Sequence, residues 1–264
     1  MFNKRLITAV IGIPLSAYII NYGQWVFFLT VLLLSFLAWN EYCMMIRRQH
    51  VQPSYGLGLV VIGLLLGCAW LGNAHEILSI LLLALILILA KMVFTNTRFG
   101  VTDAAYTLFG MSYIGLTFMH LVLLRFTAES SLIETGLGTF SLGTAYLWLA
   151  IIGTWSCDTA AYFVGTQFGR HKLCPAISSH KTIEGFLGGI LGSVFGVVAV
   201  SSLFQFSLLQ GVFLGLLLGL IAPVGDLAES AIKRFTGVKD SGRILPGHGG
   251  ILDRLDSIMF AVPA

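Results

Sequence analysis

Asp226, Glu229, Ser230 and Lys233 stand at i, i+3, i+4 and i+7. A helix through them gathers two carboxylates, a hydroxyl and an ammonium on one face. Further on, GHGGILDRLD (247–256) places glycines ahead of Asp253 and Asp256, which are i, i+3 and flank Arg254. Glycines there permit backbone conformations closed to other residues and can present N–H groups to an anion. A helix starting near Gly250 adds its positive end to that attraction. Carboxylates suit a hard divalent cation, and fixed cations with free N–H groups suit phosphate oxygens, so the pattern fits metal-assisted chemistry on phosphates. The plainer readings are a solvated helix end for the first cluster and acids complementing a helix dipole for the second. Against both, the acids enter segments that are otherwise apolar, where an ionisable group is a functional candidate by default.

A third element is Asp158, inside an apolar segment about 10 Å below its end at 1.5 Å per residue. Thr154, Asp158, Tyr162 and Gly165 run along one face, pointing to a substrate or metal pocket rather than a lone interhelical hydrogen bond. The loop GRHKLCPAISSHKTIEG (169–185) supplies Arg170, His171, Lys172, His180 and Lys181 among hydroxyls, a composition open to phosphate or headgroup contact. Glu184 then opens the next segment, where an acid favours a helix start. His50, His75 and His120 lie apart from these clusters. His248 sits among the glycines, open to a turn-stabilising or a proton-handling role.

The elements that must position these residues are membrane helices. Across 264 residues 57% are hydrophobic and only 10% charged, with mean hydropathy +0.90, which excludes an ordinary soluble domain. Nine apolar segments can be drawn, at 5–22, 24–46, 57–73, 77–94, 104–125, 142–165, 185–205, 207–225 and 250–264. Without β-barrel alternation, segments in lipid must be helical to satisfy their own backbone. The charged start and first apolar run look like a signal peptide but lack a convincing cleavage site, so they read as a retained first span. Pro223 is expected to loosen its helix just before the acidic face. Of the fifteen Lys/Arg, all but Arg125 fall on one side if the N-terminus is cytoplasmic. The positive-inside rule therefore places the N-terminus, the 166–184 loop and the 226–250 stretch in the cytoplasm.

Gly188, Gly192 and Gly196, and again Gly211, Gly215 and Gly219, form two small-residue stripes, predicting close packing of segments 7 and 8 on one another. Cys43, Cys68, Cys157 and Cys174 lack metal-ligand spacing and read as free thiols. No basic block or RNA-binding aromatic motif points to nucleic acid. With no repeat or linker, one membrane domain over 1–264 is the economical division, with N-terminal helices in 1–141 and site-bearing helices and cytoplasmic loops in 142–264.

The stretch SAIKRFTGVKDSGRILPGHGGILDRLD, Ser230 to Asp256, closely resembles the signature of the phosphatidate cytidylyltransferases, also called CDP-diacylglycerol synthases. The matching positions are Ser230, Lys233, Arg234, Lys239, Asp240, Pro246, His248, Gly249, Gly250, Asp253, Arg254 and Asp256. An upstream block, CDTAAYFVGTQFGRHKLCPAISSHKTIEGFLGG around Asp158, is similar to a second block of that family. The resemblance implies an all-α polytopic membrane enzyme in phospholipid biosynthesis, in the plasma (bacterial inner) membrane with its site facing the cytoplasm. It implies the reaction of CTP with phosphatidic acid to give CDP-diacylglycerol and pyrophosphate, with Mg²⁺ or another divalent cation. By matching position, Asp226, Asp253 and Asp256 become the metal candidates, and Lys233, Arg234, Lys239 and Arg254 phosphate contacts. Asp240 and His248 then shape the loop or handle a proton, and Asp158, Lys181, Ser230, Gly249 and Gly250 bind substrate.

Two departures stand out. Ile183 occupies a place that the family usually gives to an aromatic residue. Residues 250–264 reach only about 22 Å as helix, so the last span is expected to be short or truncated. The competing readings are a CTP-dependent transferase acting on another lipid acceptor and a secondary transporter. The transporter would need acids deep in several helices and inverted repeats, neither of which is visible. The oligomeric state is left open, a homodimer among the options.

Overall fold

A computed structural model describes residues 2–95, 98–136, 138–244 and 249–264. Leu245 to His248, and with them the expectations for Pro246, Gly247 and His248, lie outside the described residues. Among the described residues helices stand at all nine expected places: α1 (Phe2–Tyr22), α2 (Gln24–Ile46), α3 (Tyr55–Trp70), α4 (Ile77–Thr95), α5 (Val101–Phe126), α6 (Leu142–Phe168), α7 (Ile183–Ser201), α8 (Leu208–Phe235) and α9 (Leu252–Ala261). Six stretches, 24–49, 77–95, 101–126, 142–168, 183–204 and 208–235, are long and apolar enough to cross a membrane. The chain is a membrane protein. Val10–Tyr22 and Tyr55–Trp70 are apolar but shorter, and α9 at 10 residues is about 15 Å long, half the hydrocarbon thickness.

The all-helical expectation misses two short antiparallel hairpins in the polar connections. In one, β1 (Leu132–Thr135) pairs with β2 (Gly138–Ser141); in the other, β3 (Lys172–Cys174) pairs with β4 (Ser178–Thr182). Both segments are rich in β-branched and hydroxyl residues, which favour strands over helix once apolar burial no longer decides.

The chain divides into two compact units, Met1–Leu123 with Phe235–Arg254, and Leu124–Arg234 with Leu255–Ala264. In the first, Trp39 and Tyr42 of α2 are fully buried. The Trp39 Nε1–H donates to the Tyr55 carbonyl at 2.9 Å, and the Tyr42 hydroxyl to the Tyr106 carbonyl at 2.8 Å. Each ring lies where a glycine leaves room, Gly58 beneath Trp39 and Gly110 beneath Tyr42. Asp103 opens α5 by accepting from the Gly100 N–H at 2.8 Å and from the Gln52 N–H at 2.5 Å.

In the second unit α6, α7 and α8 pack through their small residues. The expected pairing is half right. Gly211, Gly215 and Gly219 of α8 do face α7, at Ser201, Val194 and Ile190. The α7 stripe turns the other way: Gly188, Gly192 and Gly196 receive Val164, Ala160 and Ser156 of α6. Helix α7 thus has close-packed faces on both sides, the second built from its own backbone at Ile190, Ser193 and Val194. Helix α8 runs through Pro223. The proline lacks the N–H that would bond the carbonyl four residues back, and the Cys157 thiol donates to that Gly219 carbonyl at 3.9 Å.

Candidate active site

The second unit holds a cavity of about 550 Å³ bounded by α6, the β3–β4 hairpin, the start of α7 and α8. Asp158 and Asp226 supply carboxylates to its wall, and Lys172, His180 and Lys181 supply nitrogen. Gly165, Gly169 and Gly185 keep the wall thin where the hairpin meets the helices. The hairpin is anchored at its base. Thr182 caps α7, its Oγ1 accepting from the Gly185 N–H at 3.1 Å. Glu184 accepts from the Arg170 N–H at 3.0 Å, the His171 N–H at 3.2 Å and the His171 ring at 2.6 Å. Its position at a helix start is thus accompanied by a role in holding the loop.

The acidic face of α8 forms as the spacing predicts. Lys181 Nζ lies 2.7 Å from Asp226 Oδ2, and Ser230 Oγ donates to Asp226 Oδ1 at 3.2 Å. One turn on, Lys233 pairs with fully buried Glu229 at 2.5 Å. Arg234 is exposed and donates from Nε to the Ile177 carbonyl of the β3–β4 turn at 3.2 Å. In α9, outside the six candidate spans, the Asp256 carboxyl is pushed up to about 7, first by desolvation and then by the Asp226 charge. Gly225, lacking a side chain, lets the Asp256 carbonyl and Phe260 lie against α8. Asp226 and Asp256 are therefore brought within electrostatic reach of one another, with Asp158 acting more weakly on Asp256.

The remaining described signature residues belong to the first unit. Asp253 Oδ2 accepts from the Gly250 N–H at 2.8 Å, the Ser241 N–H at 2.9 Å and the Ser241 hydroxyl at 3.0 Å. Gly250 thus directs its N–H at a protein carboxylate, where the sequence had it facing an anion. Gly249 takes φ +87° beside the Asp253 carboxylate, the left-handed region that favours glycine. Lys239, Asp240 and Arg254 are exposed. Among the described residues no group of three or more His, Cys, Asp or Glu converges on a metal position.

The sequence matches the cytidylyltransferase family over residues 3–264. The chain belongs to that family. It is similar to the phosphatidate cytidylyltransferase of Staphylococcus aureus, 37% identical over 98% of this chain and 95% of that protein. The like-named protein of Staphylococcus haemolyticus is 37% identical over the same shares, and that of Staphylococcus saprophyticus 35%. This cytidylyltransferase is accordingly an enzyme of the nucleotidyltransferase class, and the match reaches into the N-terminal half, where no motif could be quoted.

Lys172 and His180, which the sequence leaves open to phosphate or headgroup contact, line the cavity. Glu41 was passed over altogether, yet it is fully buried in α2 and is bonded to the signature segment. A carboxylate in an apolar helix was the signal available for it.

Proposed function

We propose that the chain transfers the cytidylyl group of CTP to phosphatidic acid, giving CDP-diacylglycerol and pyrophosphate, in the phospholipid biosynthesis of a bacterial inner membrane. The observation that carries the reading is the second unit's cavity, where Asp158 and Asp226 share a wall with Lys172, His180 and Lys181. That mixture suits a reaction between two anions. An oxygen of the lipid phosphate attacks the α-phosphorus of CTP, a new P–O bond forms, and the bond to the bridging oxygen of the departing pyrophosphate breaks. The lipid phosphate is already a competent nucleophile, so no covalent enzyme intermediate is needed.

The chain's cations offset the repulsion on approach and the charge gathering on pyrophosphate. Lys181 and Lys172 line the cavity, and the family signature supports phosphate contacts for Lys239 and Arg254. Lys233 has Glu229 as its partner, so its part is to hold the α8 face as well as to supply charge. Asp226 and Asp256 fit a hard divalent cation such as Mg²⁺. The Asp226 charge raises the cost of ionising Asp256, and such an ion takes one or two carboxylates and completes its shell with water and phosphate oxygens. When bound, it supplies charge neutralisation at the phosphates. Asp253 fits that role less well, since its Oδ2 already accepts three hydrogen bonds. The positive-inside pattern supports a site on the cytoplasmic face, where CTP is available.

The test uses purified protein in detergent with radiolabelled CTP, phosphatidic acid and Mg²⁺. Labelled CMP-lipid and pyrophosphate in equal amounts are expected. Absence of both, under conditions where a staphylococcal relative is active, overturns the proposal.

A further inference from the structure

We infer that Glu41 is a positioning residue, holding the backbone that carries Arg254 in place for catalysis. The inference rests on the proposed reading that Arg254 meets a substrate phosphate. Glu41 has no exposed surface and sits in an otherwise apolar helix. Its Oε1 accepts from the Ile251 N–H at 2.9 Å, and its Oε2 from the Leu252 N–H at 3.1 Å. Ser241 Oγ lies 3.1 Å from Glu41 Oε2 and 3.0 Å from Asp253 Oδ2, so its single proton is shared between two carboxylates.

The opening N–H groups of a helix have no intrahelical partner. At α9 protein side chains meet those of Gly250, Ile251 and Leu252, two by Glu41 and one by Asp253. The cradle is also shaped around the carboxylate, because a Cβ on Gly242 or Gly250 would run into it. Those two glycines answer to Glu41 rather than to a ligand. Arg254 lies two residues beyond Leu252, its N–H donating to the Ile251 carbonyl at 3.1 Å. A shift of about 1 Å in such a residue is enough to cost catalysis heavily.

Glu41→Gln keeps the volume and removes the charge-assisted acceptor. It is expected to lower kcat at least about tenfold while moving KM for CTP less than about threefold. Hydrogen exchange at Ile251 and Leu252 should accelerate without a matching rise along α2 to α5. Glu41→Asp, which keeps the carboxylate on a shorter stem, should recover part of kcat. A kcat within about twofold of wild type, or exchange rising uniformly through the unit, overturns the inference. Should Glu41→Gln not fold, Ser241→Ala decides: about threefold lower kcat with faster exchange at 251–252 supports it, and wild-type behaviour in both overturns it. If wild type itself makes no CDP-diacylglycerol, the proposed function falls and the catalytic part of this inference with it. The exchange data still decide whether Glu41 holds the segment.

Discussion

Asp226 and Asp256 carry opposite kinds of support. Asp226 has Lys181 and Ser230 as direct partners, whereas Asp256 has the Ser257 N–H and, against it, desolvation and the Asp226 charge. The carboxyl of Asp256 therefore holds its proton more tightly folded than unfolded. Stability linked to it is full below the unfolded carboxylate range, falls as pH rises from about 4 to about 7, and stays reduced above that. Asp256→Asn removes the penalty. Without divalent cation its melting midpoint at about pH 8 should exceed wild type by about 2–4 °C and match it at about pH 4, while turnover is lost. Calorimetry in detergent across that range checks it, and a lower midpoint at the alkaline end would sink the argument. Asp253→Asn should behave oppositely, losing turnover and about 1–3 kcal/mol of stability, because it disturbs the acceptor for Gly250 and Ser241. Denaturation against wild type at one pH separates the two aspartates. Their spacing in the sequence makes them look equivalent; only the direction of their hydrogen bonds tells them apart.

At the scale of elements, α7 is held between two helices that both approach its backbone. A Cβ on Gly215 would stand 2.5 Å from the Val194 Cα, a contact with backbone that no rotamer change relieves. Gly215→Val is expected to give aggregated, inactive protein by size-exclusion chromatography, while Gly56→Ala, where nothing lies within 4 Å, keeps its elution and activity. The stripes were legible in the sequence, but their partners were not. Spacing of four tells which face is small and leaves open which neighbour fills it. The same limit hid the hairpins, whose strands are local pairings in segments too short for a periodic signal. Helix positions were read well because about twenty apolar residues in a row admit few other structures. The 226–233 face already implies a helix continuing past Pro223, as α8 does; the Cys157 thiol at the orphaned Gly219 carbonyl is not implied by it, since the two lie 62 residues apart.

For the whole molecule, orientation rests on the distribution of Lys and Arg. Single cysteines in a cysteine-free background test it with a membrane-impermeant maleimide. Label at Thr139 in the β1–β2 hairpin is expected in intact cells, and label at Lys172 only after permeabilisation; the reverse pattern would invert the topology and detach the cavity from cytoplasmic CTP. The site's two ends were legible to different degrees. The C-terminal blocks announce themselves by charge within an apolar chain, whereas Glu41 is a single acid within α2, in a run that hydropathy scores as ordinary membrane.

Glu41 also sets a schedule. Its partners lie 200 to 211 residues downstream, so a ribosome adding about 5–20 residues per second needs roughly 10–40 s to deliver them. Throughout that interval α2 has been made, yet its carboxylate lacks the hydroxyl and N–H groups that receive it in the finished protein. A stalled or shortened nascent chain would leave the acid without those partners. The first helices can enter the bilayer early, but this one matures only when the last does.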